Sequence, residues 1–194
     1  MTRAGVCAAA IAFALAIAPR VASATDSTAG PLYVQGGLGV SFWDFPRLQF
    51  GPFTTAYSWT GFDPQVEVGY HFSGRHDGFV LALRQAFIIT ALNFGTGNAA
   101  GLTSLRGGYD LAFKAGSMEI NVDPFATFGV GYIFDGAHAG IEATGGLDIK
   151  LFFTKGVYAF ARPGELGFQC FHDVGDCAFS YAASLGAGFA FGGS

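Results

Sequence analysis

Two cysteines seven residues apart, Cys170 and Cys177, carry the plainest chemistry in this sequence. In an exported, oxidising setting that spacing points to a loop-closing disulfide, which by chain entropy would restrain the unfolded chain by ~2.5 kcal/mol. The alternatives are two free thiols, or a metal site completed by His172, Asp173 and Asp176. Two cysteines without a second ligand pair make a thin zinc motif. Seven charged residues stand among apolar neighbours: Glu67, Arg84, Arg106, Asp110, Glu142, Asp148 and Lys150. Four acids against three bases nearly cancel, as a network paired inside a confined space requires. Arg162 is a candidate to join it near one rim.

Catalytic patterns are thin. His138 with Glu142 lacks a nearby serine, and His71 with Ser73 falls at the opposite end of its strand. Gly95 to Ala100 matches the letters of G-x-G-x-x-A, but no parallel strand–helix–strand unit surrounds it, so it is expected to be a loop. No H-E-x-x-H, G-x-S-x-G or Walker pattern occurs. The expectation is no enzyme, no cofactor and no metal.

The elements that must position these residues have period two. Eight segments alternate an apolar with a small or polar face: Leu32–Trp43, Gln65–Phe72, Phe79–Ile89, Thr103–Phe113, Glu119–Phe134, Gly140–Phe153, Val157–Arg162 and Phe179–Phe191. Such alternation predicts strands with one apolar side. The seventh is the weakest, since neither of its faces is clearly polar. Short turns, Ser73–Gly78, Lys114–Ser117 and Thr154–Gly156, follow strands 2, 4 and 6. Longer links, Asp44–Pro64, Thr90–Leu102, Asp135–Ala139 and Pro163–Ala178, follow strands 1, 3, 5 and 7. Short connections at one end and long ones at the other are the pattern of an up-and-down barrel crossing a membrane.

Composition agrees. Of 194 residues, 51% are hydrophobic and only 12% charged, about half the charged share of a soluble domain. Ten Lys and Arg against fourteen Asp and Glu leave no basic surplus for nucleic acid. Residues 1–24 read as a secretory signal, with Arg3, an Ala-rich run to Ala18, and Ala22-Ser23-Ala24 before cleavage between Ala24 and Thr25. One domain, 25–194, is expected after it. The second face of the strands is mostly Gly, Ala and Ser, which suits a narrow barrel interior and not a solvated exterior. Trp43, Phe42, Tyr70, Phe72, Phe79, Phe113, Tyr132, Phe134, Phe152 and Phe153 cluster near strand ends, where interfacial girdles belong. The Asp44–Pro64 link is also aromatic; it either binds a partner or hydrophobic solute, or extends strands 1 and 2 over the barrel mouth.

In this architecture, over Leu32–Phe191, the sequence resembles the small eight-stranded outer-membrane β-barrels of the OmpX and OmpA N-terminal-domain kind. Its last strand, from Tyr181 to Phe191, looks like their C-terminal assembly signal, except that Gly192-Gly193-Ser194 follow the aromatic. The resemblance implies an all-β, eight-stranded antiparallel transmembrane barrel in the bacterial outer membrane. Its N-terminus would be periplasmic and its long loops extracellular. It would be a monomer contacting the bilayer, lipopolysaccharide and, during assembly, the barrel-insertion machinery. A structural or surface-interaction role is expected. A narrow porin-like pore or conduit for small hydrophobic solutes is the alternative, and a lipid A-modifying enzyme a further one.

Overall fold

A computed structural model describes residues 30–50, 53–89, 99–116, 118–133, 138–171 and 176–191. The expected signal segment, with its Ala24–Thr25 junction, lies outside them. Eight strands follow one another: β1 (Leu32–Phe50), β2 (Phe53–His71), β3 (Gly78–Ile89), β4 (Ala99–Ala115), β5 (Met118–Ile133), β6 (His138–Phe152), β7 (Val157–Phe171) and β8 (Asp176–Phe191). Each pairs antiparallel with its neighbours in sequence. β1 closes on β8 through pairs such as Leu38 with Leu185, giving a closed barrel.

Alternation decides which way each side chain points. In β3, Phe79, Leu81, Leu83 and Phe87 are exposed, while Val80, Ala82, Arg84 and Ala86 are buried. In β1, Leu38, Val40 and Phe42 face out and Tyr33, Gln35 and Ser41 face in. The core is therefore the lumen. Its short-turn end holds an apolar cluster around Tyr33, Val80, Phe152, Tyr158 and Phe160. Its other end holds Trp43, Ile88, Leu102 and Phe171.

Two expected links, Asp44–Pro64 and Pro163–Ala178, are largely strand among the described residues. The Asp44–Pro64 segment is a long hairpin, paired from Asp44 with Ser58 up to Phe50 with Phe53. This is the extension of strands 1 and 2 that the sequence offered as one reading of the segment; its Phe, Tyr, Trp and Thr residues favour strands. Pro64 sits where the β2–β3 ladder is interrupted between Phe62 and Gln65, so its missing N–H spoils no bond there. Pairing to β8 ends at Asp44 with Phe179, so the hairpin tip rises beyond it. β4 begins at Ala99, inside the expected Thr90–Leu102 link. The remaining Gly95–Asn98 letters lie outside the described residues.

β7 does not stop at Arg162. It continues through Pro163 and Gly164 to Phe171, with the register shifting between Arg162 and Glu165. A bulge adds one residue and reverses the phase of alternation, so Glu165 and Gln169 point inward after Arg162 has done so. Cys170 and Cys177 therefore lie on paired strands and not in a loop. They face each other in register and form a disulfide, S–S 2.00 Å. Intact-mass analysis with alkylation under non-reducing conditions should find no free thiol at these positions; two alkylatable thiols would contradict the bond.

The β4–β5 turn needs Gly116, whose φ of 66° is disfavoured for other residues. Inside the barrel glycine acts through size: a Cβ on Gly69 would run into the Tyr33 ring, and one on Gly188 into the Tyr158 ring. Gly69→Ala should therefore displace Tyr33 and lower stability by about 1–3 kcal/mol, read as an earlier urea unfolding midpoint. An unchanged midpoint would mean the interior has slack.

Candidate functional site: the charged lumen

The structure places all seven sequence-selected charges in the lumen. Glu67, Arg84, Arg106, Asp110, Glu142, Asp148 and Lys150 are each at most 3% exposed. They come from β2, where inward positions are odd-numbered, and from β3, β4 and β6, where they are even-numbered.

Arg106 is the hub. Its Nη1 donates to Glu67 Oε1 at 2.6 Å and to the Tyr33 hydroxyl at 3.2 Å. Its Nη2 donates to Asp123 Oδ2 at 2.5 Å and to Asp148 Oδ2 at 2.9 Å. Arg162 belongs to the same network. It grips Asp148 with a fork, Nε to Oδ1 at 2.6 Å and Nη2 to Oδ2 at 2.9 Å, and donates from Nη1 to Gln65 Oε1 at 2.8 Å. Planar guanidinium forks suit such bidentate holding of carboxylates. Both guanidiniums lie over the Phe125 ring, at 4.3 Å and 4.5 Å. Lys150 Nζ donates to Asp110 Oδ2 at 2.5 Å and Asp123 Oδ2 at 3.1 Å.

At the short-turn end, His71 meets Asp110 through Nε2 at 2.7 Å. Ser73 instead bonds within its own turn to the Arg75 carbonyl, so His71 and Ser73 form no acid–base pair. The same turn tucks His76 under the barrel. It is 3% exposed, contacts Glu119, stacks on Phe152 at 4.2 Å, and its carbonyl accepts from Asn121 Nδ2 at 2.9 Å. The turn thus stoppers that mouth.

Towards the long-hairpin end, Arg84 Nη1 donates to Glu165 Oε1 at 2.5 Å, and Thr144 donates to the same oxygen at 2.6 Å. Above this pair lies a cavity of about 20 Å³. Asp63, Glu142 and Gln169 line it with Ser41, Trp43 and Leu102.

Several members were absent from the sequence list. Asp63 shares the odd-numbered inward set of Glu67 on β2, and Asp123 alternates with the outward Val122; both were within reach of the period-two rule. Glu165 and Gln169 were hidden by the bulge in β7. The interior is consequently more acidic than the near-balance expected: seven buried Asp and Glu against four buried Arg and Lys among the described residues. Two expected girdle aromatics are corrected as well. Trp43 and Phe152 are 3% and 6% exposed and face the lumen, because they fall on the inward parity. Phe42, Tyr70, Phe72, Phe79, Phe113 and Phe153 do face out, and Phe134 lies outside the described residues. No group of three or more His, Cys, Asp and Glu is arranged for a metal ion among the described residues.

No family model matches the sequence, and no curated protein does. Among solved structures, Neisserial surface protein A matches with a TM-score of 0.57 at 16% identity, covering 82% of this chain and 97% of that one. The attachment invasion locus protein Ail of Yersinia pestis matches at a TM-score of 0.43 and 13% identity, over 84% of this chain and 99% of that one. With the first of these it shares the fold of a small eight-stranded barrel.

Proposed function

We propose that this chain is an integral outer-membrane β-barrel of structural or surface-interaction type, with a sealed lumen and no catalytic role. The observation that carries the proposal is reversed polarity. Among the described residues thirty large hydrophobic side chains are exposed, while twenty-one polar or charged ones are buried. Water would favour the opposite arrangement, and hydrocarbon favours this one. Closure of β1 on β8 supports the same reading, since an open sheet edge would leave unpaired backbone groups in lipid. Strands of 12 to 19 residues exceed the roughly 9–11 needed to cross.

The β1–β2 hairpin, which outruns the pairing of its neighbours, supports a surface role and would be the first contact for a partner outside the cell. The stoppered turn end would face the periplasm, the hairpins the exterior, and the outer face would meet lipid and lipopolysaccharide. The chain would act as a monomer and enter the membrane through the barrel-insertion machinery. The protein should sediment with outer membranes and show heat-modifiable gel mobility. Recovery in the soluble periplasmic fraction would contradict the membrane reading.

A pore is the second reading. Against it stands the Arg106–Arg162 network, whose Arg106, Arg162, Glu67, Asp123 and Asp148 are bonded to one another inside the barrel at 0–2% exposure. Planar bilayers should register no steady single-channel current. Steady conductance that disappears on substituting Arg106 would favour the pore.

A further inference from the structure

The cavity above the charge network has an uncompensated electrostatic content. Of the seven buried acids, Glu67, Asp110, Asp123, Asp148 and Glu165 each form ion pairs. Asp63 and Glu142 form none among the described residues, although they are only 2% and 3% exposed. Asp63 Oδ1 and Glu142 Oε2 also have no hydrogen-bond partner there. Both carboxylates line the same cavity. Arg84 lines it too; its Nη1 is held by Glu165, which Arg162 shares, and its Nε has no hydrogen-bond partner among the described residues.

A second, uncharged observation falls in the same place. Gln169 is 1% exposed and lines the cavity, yet its side-chain oxygen and nitrogen both stand without a partner among the described residues. The Ser41 hydroxyl, on β1, is likewise without a partner there and lines the same cavity. A buried amide and hydroxyl without partners are disfavoured, because each loses its bonds to water and gains none in return. Two carboxyl groups, an amide oxygen and a hydroxyl offer only hard oxygen ligands, and neither carboxyl group has an ion-pair partner among the described residues.

We propose that this cavity is a binding site for one divalent hard cation of the size of Ca2+, held between Asp63 and Glu142 with Gln169 Oε1 and Ser41 Oγ. A volume of about 20 Å³ accepts a single water-sized guest. Mg2+, which sheds its water shell reluctantly and demands a tighter octahedron, fits less well. Two carboxylates from the protein are few for a calcium site, so the affinity belongs in the millimolar range typical of the weakest Ca2+ modules, about 10⁻⁴–10⁻³ M. Filling the site would tie β1, β2, β6 and β7 together just below the hairpins.

Equilibrium dialysis of the purified chain in zwitterionic micelles against radioactive Ca2+ tests this directly. The unaltered chain should bind one Ca2+, Mg2+ should bind more weakly, and the urea unfolding midpoint should rise with Ca2+. Asp63→Asn and Glu142→Gln should each weaken binding by about tenfold or more, and the double variant should bind none. These near-isosteric changes remove unpaired buried charge, so the barrel should still form, with heat-modifiable mobility as the check. Absence of Ca2+ binding by the unaltered chain, or stoichiometric binding that survives in the double variant, would overturn the proposal.

Discussion

Arg106→Met should be among the most damaging single changes this barrel can suffer. Arg106 is fully buried and is the shared partner of Glu67, Asp123 and Asp148, at 2.5 to 2.9 Å. Methionine fills much of the same volume but leaves carboxylates facing one another with the bridging charge gone. Removing one partner from a buried ion pair usually destabilises by about 3–5 kcal/mol, and this residue serves three acids at once. The folded, heat-modifiable form should therefore unfold at a much lower urea concentration, or fail to form. Arg106→Lys should recover only part of the loss, because a single ammonium lacks the fork that reaches Glu67 with one nitrogen and Asp123 with the other. Neutralising the carboxylates left in excess, by adding Glu67→Gln and Asp123→Asn to Arg106→Met, should restore part of the lost stability. A wild-type midpoint for Arg106→Met would mean the network contributes nothing to the fold.

Leu185→Arg carries the second large effect, and its size separates two kinds of protein. Leu185 lies midway along β8, 68% exposed, opposite Leu38 on the adjoining strand. On a barrel in water, exchanging an exposed leucine for arginine would change stability by no more than about 0.5 kcal/mol. On a lipid-facing strand near the bilayer centre it destabilises by about 2–4 kcal/mol. Folding into vesicles should therefore lose that much. Ala115→Arg, at the exposed β4–β5 turn, should change little. Equal behaviour of the two variants would count against a lipid-facing outer surface.

Much of the fold was legible because a strand with two unlike faces writes its orientation into alternate residues. Tyr181 to Phe191 carries that pattern without interruption, and Phe79 to Phe87 departs from it only at Val80 and Gln85. It failed where backbone geometry broke the period. Pro163 and Gly164 resemble a turn but form a bulge, so the outer half of β7, with Glu165 and Gln169, was lost from view. The long β1–β2 hairpin was one of the two readings the sequence allowed for the Asp44–Pro64 segment, and its aromatic and β-branched residues carried it. Direction into the lumen is a local property and could be read for Glu67 or Lys150. Partnership is not local: Arg106 meets residues 39, 17 and 42 positions away, and only strand register brings them together. The excess of buried acid, and with it the cavity beneath the hairpins, appeared only once that register was known.

The central claim is that the barrel is inside out, with its apolar face in lipid and its charges enclosed. NMR of the isotope-labelled chain in micelles tests it with two paramagnetic probes, a nitroxide at the acyl-chain terminus and a water-soluble gadolinium chelate. The account predicts that the nitroxide broadens the outward methyl groups of Leu83, Leu105, Val130 and Leu185, while the chelate reaches only the turns and hairpin tips. Broadening of those methyl groups by the chelate, with the nitroxide leaving them sharp, would contradict it.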